Sequence, residues 1–437
     1  MRYGHPFYPL NKDVTMKQIN SALIVILAAS LTLGSCKSKN VFDQEGYNEI
    51  ITGQFPIEPI DQTQTWNLST RRTVSINVNA NLENMEKLMV LTANPAVNSD
   101  AQIMAEEASP EEGRTYTMLF VAPDAKTTFC AAIKTTDKRY AIVEFKASDN
   151  TVNFNDKVMA TINTEPKRQA FTYCYEENFP MPGDYDFNDC VMRMSVERGS
   201  KKNQVKLNVT LEAVGAKIPM AGAVRLCDYN YDDIESVEIA DGKAFDDGYP
   251  LQKKYIPEDA TLLRGRNNVA VIRLFEDAMW CMVKEDPDNI GILTRKNINV
   301  TRATDETNLH RTPITKTYII TFKESSAALL NNFLEDKLDP FIVTLFNAGY
   351  WETHVYTHQQ AQALYEYPDQ NDVHMLWALC VPSGNFRWPL EGKLIGNYKD
   401  NILTGAYREY NHSFGQWAAQ KEQSRDWFYY PTVTEVY

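Results

Sequence analysis

Val205, Leu207, Val209, Leu211 and Ala213 alternate with Lys206, Asn208, Thr210 and Glu212. A period of two marks a strand with one face in a core and the other toward water. Val74, Ile76, Val78 and Ala80 alternate in the same way with Ser75, Asn77 and Asn79. Strand-like runs follow at Lys87–Thr92, Thr115–Val121, Thr127–Lys134 and Tyr140–Lys146. Asn-Pro, Glu-Glu-Gly, Ala-Pro-Asp and Thr-Asp-Lys turns separate them. Further strands are expected at Val269–Phe275, Lys316–Lys323, Phe341–Phe346 and Leu376–Val381. One α-helix is expected over Ser325–Leu338, capped by Ser325 or Ser326. The pattern predicts a mainly β chain of two β-sandwich-like domains, residues 65–164 and 165–437.

The N-terminus breaks this pattern. From Met16 a short basic start, Lys17, leads into the apolar run Ala22–Leu33. That run falls short of the ~20 apolar residues needed to cross a bilayer. Leu33-Gly34-Ser35-Cys36 closes it. Small residues before a cysteine at the end of such a run form a lipobox, with cleavage before Cys36 and lipid on its thiol. Residues 1–35 then hold an upstream extension and a lipoprotein signal peptide. Residues 36–64, polar and carrying Pro56 and Pro59, are expected to be a lipidated tether. Lys37 after the cysteine favours the outer membrane, on the periplasmic face or the cell surface.

The formal charge of −13 argues against nucleic acid as a partner and suits divalent cations. The six other cysteines, 130, 174, 190, 227, 281 and 380, form no Cys-x-x-Cys pair or zinc-module spacing. They are expected to be small buried thiols.

The densest chemistry lies in Phe171–Met194, where Asp184, Asp186, Asn188 and Asp189 follow Glu176 and Glu177. Hard oxygens without His or Cys favour calcium over zinc. Gly183 frees the backbone to turn, and Tyr185 and Phe187 have the alternation to pack beneath the loop. It is not an EF-hand: counting Asp184 as one, position six is Asp189 and position twelve is Ser195. The six oxygen-bearing residues are the candidate ligands of a structural calcium ion. The run Asp228-Tyr229-Asn230-Tyr231-Asp232-Asp233 is a weaker candidate, without a neighbouring glycine.

These residues resemble the LruC domain of bacterial lipoproteins. The resemblance rests on Glu176-Glu177, Pro180, Gly183-Asp184-Tyr185-Asp186-Phe187-Asn188-Asp189 and Val191. It continues at Gly215-Ala216, Asp339-Pro340-Phe341-Ile342, Glu352, His354, Trp377-Ala378-Leu379, Phe386, Trp388-Pro389, Ala406-Tyr407, Trp417 and Asp426-Trp427-Phe428. It covers about 165–428 and implies an exported β-rich module of uncharacterised function, supplying no activity.

The sequence has no Gly-x-Ser-x-Gly elbow and no His-Glu-x-x-His. His354 and His358, on a strand, would lie about 13 Å apart, so a metal cluster of His354, His358 and His374 is not expected. The chain is expected to be no enzyme but a lipid-anchored, calcium-stabilised binding or structural module of the envelope. One alternative is a glycan-binding or glycan-degrading accessory protein, with Trp351, Trp388, Trp417 and Trp427 as sugar platforms. Another is a pilus-type subunit matured at Arg71-Arg72.

Overall fold

The computed structural model describes residues 60–249, 255–284, 296–305, 307–368, 375–397 and 412–437. The signal peptide, Cys36, most of the expected tether, His374 and Ala406-Tyr407 lie outside the described residues. No described helix is long and apolar enough to cross a membrane.

The first strands are β1 (Ser69–Asn77), β2 (Met85–Leu91), β3 (Gln102–Ala108), β4 (Thr115–Pro123) and β5 (Thr128–Thr135). Then come β6 (Arg139–Lys146), β7 (Thr151–Asn153), β8 (Val158–Thr161) and β9 (Lys167–Arg168). A sheet ordered β4-β1-β7 faces one ordered β8-β6-β5-β2-β3-β9. Val74, Ile76, Met118 and Phe120 from the first meet Leu88, Val90, Ile133 and Phe145 from the second. The alternating side chains of β1 thus bury one face, as their period requires.

The following strands are β10 (Phe171–Tyr175), β11 (Cys190–Arg198), β12 (Gln204–Ala213), β13 (Ala221–Asn230), β14 (Ile234–Ile239), β15 (Leu262–Arg264) and β16 (Val269–Phe275). After a short helix α1 (Ala278–Val283) come β17 (Asn297–Ile298), β18 (Asn308–Leu309), β19 (Ile314–Phe322), β20 (Leu338–Phe346), β21 (Gly349–Thr353) and β22 (Ala378–Val381). One sheet runs β14-β19-β12-β11-β10-β22, the other β15-β16-β13-β20-β21. Between them lies the largest core, with Tyr173, Met192, Met194, Leu207, Leu211, Val224, Ile272 and Ile342. The mainly β, sandwich-like fold is as expected.

The outer face of β10 and β11 is covered as well. Cys174 and Val191 join a second core with Trp377, Trp388, Phe414, Trp417 and Trp427. The chain's C-terminal segment, with α2 (Phe414–Ala419), forms much of this cover. Trp66 packs edge-on against Trp417 at 5.4 Å between ring centroids. Residues 60–64 depart from the expected tether: Ile60 and Gln64 are buried. Asp61 N donates to Ala418 O at 2.9 Å and Gln64 Nε2 to Trp417 O at 2.7 Å.

Ser325–Leu338 is not an α-helix. It forms two 3-10 segments, Glu324–Asn332 and Glu335–Lys337, and Leu338 already begins β20. Leu330 and Phe333 reach the core, and a three-residue spacing fits a three-residue turn. The six cysteines are free, and all but half-buried Cys380 are buried, as expected.

Candidate cation site

The 176–189 loop joins β10 to β11, two strands paired through Tyr175↔Cys190. Both are buried on both faces, so the loop leaves and re-enters the molecule at one fixed place. Tyr185 and Phe187 take left-handed backbone, φ 58° and 52°. Their rings lie fully buried in the second core. Tyr185 O accepts from Ile395 N at 2.8 Å, so the loop is stitched to the chain 200 residues on.

The intervening polar side chains divide into two groups. One carboxylate oxygen each from Glu176, Asp184 and Asp186 lie within 4.8 Å of one another. Glu176 and Asp186 are buried, Asp184 exposed. Glu176 Oε1 accepts from Phe187 N at 2.8 Å, but its Oε2 is buried with no hydrogen-bond partner. Asp186 accepts from Asn188 N at 3.2 Å and Gly392 N at 2.8 Å. A Cβ on Gly183 would stand 1.8 Å from Glu176 Oε2. The glycine is therefore required for this approach on steric grounds alone.

The other three expected ligands hold backbone instead. Asp189 Oδ2 accepts from Glu177 N at 2.7 Å, and Glu177 Oε2 from Ile218 N at 2.9 Å. Asn188 Nδ2 donates to Pro389 O at 3.2 Å. Asn188 Oδ1 is buried without a partner, and both it and Glu391 Oε2 border the open side of Gly215. Sequence reasoning missed Glu391. It lies some 200 positions from the loop, and no spacing rule links them.

So many acids in one buried place do not ionise freely. Burial, then the Asp184 charge, pushes Glu176 up to about 8. Burial, then Glu176 and Asp184, holds Asp186 well above the usual carboxylate range. Asp189 is raised by burial and by Glu176, Glu177 and Asp186. A dipositive ion in this place would remove the repulsion. The three oxygens that converge, completed by water, are the hard donors of which calcium takes ~6–8. The residues present fit such an ion.

The second acidic run does not assemble. Asp228 pairs with Lys337, Asp232 with Arg264, and Asp233 with Asn230 and Ser326. His354 and His358 both face Asp339 but otherwise have different partners. His354 Nδ1 meets Asp339 at 2.9 Å and its Nε2 meets Glu352 at 2.9 Å, all three fully buried. His358 Nε2 instead lies 3.8 Å from Cys227 Sγ. Burial would lower the His354 imidazole, but Asp339 and Glu352 more than reverse this and raise it to about 9. Trp351, Trp388, Trp417 and Trp427 are all buried, leaving none of them as an exposed sugar platform.

A family model described as Domain of unknown function (DUF4842) matches residues 202–428. The acidic loop precedes that stretch, while Glu391 and Gly392 fall inside it. No curated protein matches the chain. A solved structure from Bacteroides ovatus, provisionally named a lipoprotein, is 15% identical, with 82% of this chain and 99% of that chain covered and a TM-score of 0.49.

Proposed function

Because the chain belongs to the family described as Domain of unknown function (DUF4842), whose description names no activity, we propose a role from its own residues: a lipid-anchored envelope protein, not an enzyme, whose binding or structural module is pinned by calcium. The anchor is Cys36, and the destination the outer membrane. The observation that carries the ion is Glu176 Oε2, buried without a hydrogen-bond partner beside Asp184 and Asp186. An unsatisfied buried polar group is costly, and a cation that displaces its proton relieves it. The ion's work is to fix the β10–β11 loop against the C-terminal cover. Asn188, Asp189, Glu177 and Glu391 would support the site. The resemblance to LruC lipoproteins agrees with this reading.

EDTA-stripped protein is expected to take up about one calcium in equilibrium dialysis, and Asp186→Asn none; no uptake by the wild-type chain overturns the ion. Cys36→Ser is expected to leave the membrane fraction, and retention there contradicts the anchor. The pilus reading gains no support from Arg71-Arg72, which sits inside β1, the middle strand of its sheet. Arg71 is engaged by Asp336 and Asn332 O.

A further inference from the structure

A second cluster of ligand-type side chains lies away from the acidic loop and differs from it in chemistry. Cys227 on β13, Asp339 on the adjacent β20 and His358 in the turn after β21 converge. A thiol sulfur, a carboxylate oxygen and a ring nitrogen lie within 4.8 Å of one another. Their sequence positions give no hint of this, being about 20 to 130 residues apart.

We propose that Cys227, Asp339 and His358 bind a zinc-type divalent ion. Sulfur, imidazole nitrogen and carboxylate oxygen are the donors zinc takes, at about 2.0–2.3 Å. Tetrahedral ligands at those lengths stand roughly 3.5 Å apart, close to the 3.8 Å between Cys227 Sγ and His358 Nε2. The independent observation is Asp339. Its Oδ2 is occupied by Arg225 Nε at 2.8 Å and His354 Nδ1 at 2.9 Å. Its Oδ1 is fully buried with no hydrogen-bond partner. A ligand carboxylate held by donors on its other oxygen is what an outer shell provides. Cys227 has no cysteine partner. His358 also lines a cavity of about 390 Å³ with Val355 and Tyr356, although Cys227 and Asp339 do not line it. Calcium, which takes hard oxygens, is a poor fit here.

The test is titration of the full chain with Co²⁺, whose bond to a thiolate absorbs in the near ultraviolet. The expected result is a saturable thiolate band. It is lost in Cys227→Ser, and the midpoint rises by at least about 10- to 100-fold in His358→Gln, the loss typical even of an outer-shell partner. The same band is expected in Asp186→Asn and in excess calcium, so a failed acidic loop leaves this result standing. His358→Gln, at a half-buried position, carries the test should Cys227→Ser not fold. Co²⁺ binding without a thiolate band, or a band unchanged in both cluster variants, overturns the site and leaves only a weak Cys–His hydrogen bond.

Discussion

Stripped of divalent ions with EDTA, the protein is expected to lose stability as the pH rises from about 5 to about 8, by several kcal/mol. Glu176 is the reason. Burial and Asp184 raise its carboxyl to about 8 in the folded chain from an ordinary 4.5. Between those values the folded protein holds a proton that the unfolded chain has released. Stability is then highest below the unfolded value and falls as the pH climbs through the folded one. Each tenfold gain in proton affinity on folding is worth about 1.4 kcal/mol, and Asp186 and Asp189 are pushed the same way. Calcium replaces those protons, so saturating calcium is expected to flatten this part of the slope. Urea denaturation at several pH values, with calcium and with EDTA, reads the difference. An EDTA series no steeper than the calcium series would contradict the electrostatic account of the loop.

His354→Leu is expected to cost about 3–5 kcal/mol at pH 6, because it removes the cation between two fully buried carboxylates. Asp339 would keep Arg225, and Glu352 would keep Leu364 N at 2.6 Å and Tyr365 N at 2.7 Å. Arg225 still neutralises Asp339, but the donors left to Glu352 are neutral backbone N–H groups, so its buried charge is uncompensated. The imidazole is raised to about 9 from 6.5. Its contribution is fully present below 6.5 and lost as the pH rises through 9. This slope runs the same way as that of Glu176 but does not respond to calcium, and His354→Leu removes it. Arg264→Ala, which breaks an ion pair exposed on both sides, is expected to cost far less. Equal losses in the two variants would show that the buried imidazolium has been misjudged.

Strands with strict alternation or a short apolar run were legible in the sequence. Val269–Phe275 is β16 to the residue, and Val205–Ala213 lies within β12. Periodicity failed where composition pointed elsewhere. β3 reads QIMAEEA, mostly helix-favouring residues, and is a strand because β2 and β9 flank it. β13 was not read as a strand at all, and its end, with Asp228 and Asn230, was read as a weaker cation-site candidate. Ser325–Leu338 has serines, alanines and leucines suited to a helix. However, few of its side chains reach the core, and isolated short helices gain little from propensity alone. At the site, the local part could be seen. Glu176, Asp184 and Asp186 do meet, and Tyr185 and Phe187 do pack beneath them. What could not be seen was long-range: Gly392 N on Asp186, Glu391 beside Asn188, and Cys227 beside His358. Such meetings are set by strand order, which no local pattern encodes. The same limit hid the backbone bonds that Glu177, Asn188 and Asp189 make. A carboxylate that caps a distant backbone N–H and one that faces an ion have the same sequence signature.

On this reading the 176–189 loop is a calcium site rather than a well-bonded acidic turn. Thermal unfolding of the wild-type chain and Asp186→Asn at pH 7.5, in saturating calcium and in EDTA, tests it most directly. At about 100 times the dissociation constant, calcium adds ~2.7 kcal/mol, which raises the wild-type midpoint by roughly 5 °C. Asp186→Asn is expected to show no calcium response and, freed of one repelling charge, to match or exceed the wild type in EDTA. Superimposable wild-type curves with and without calcium would contradict the account.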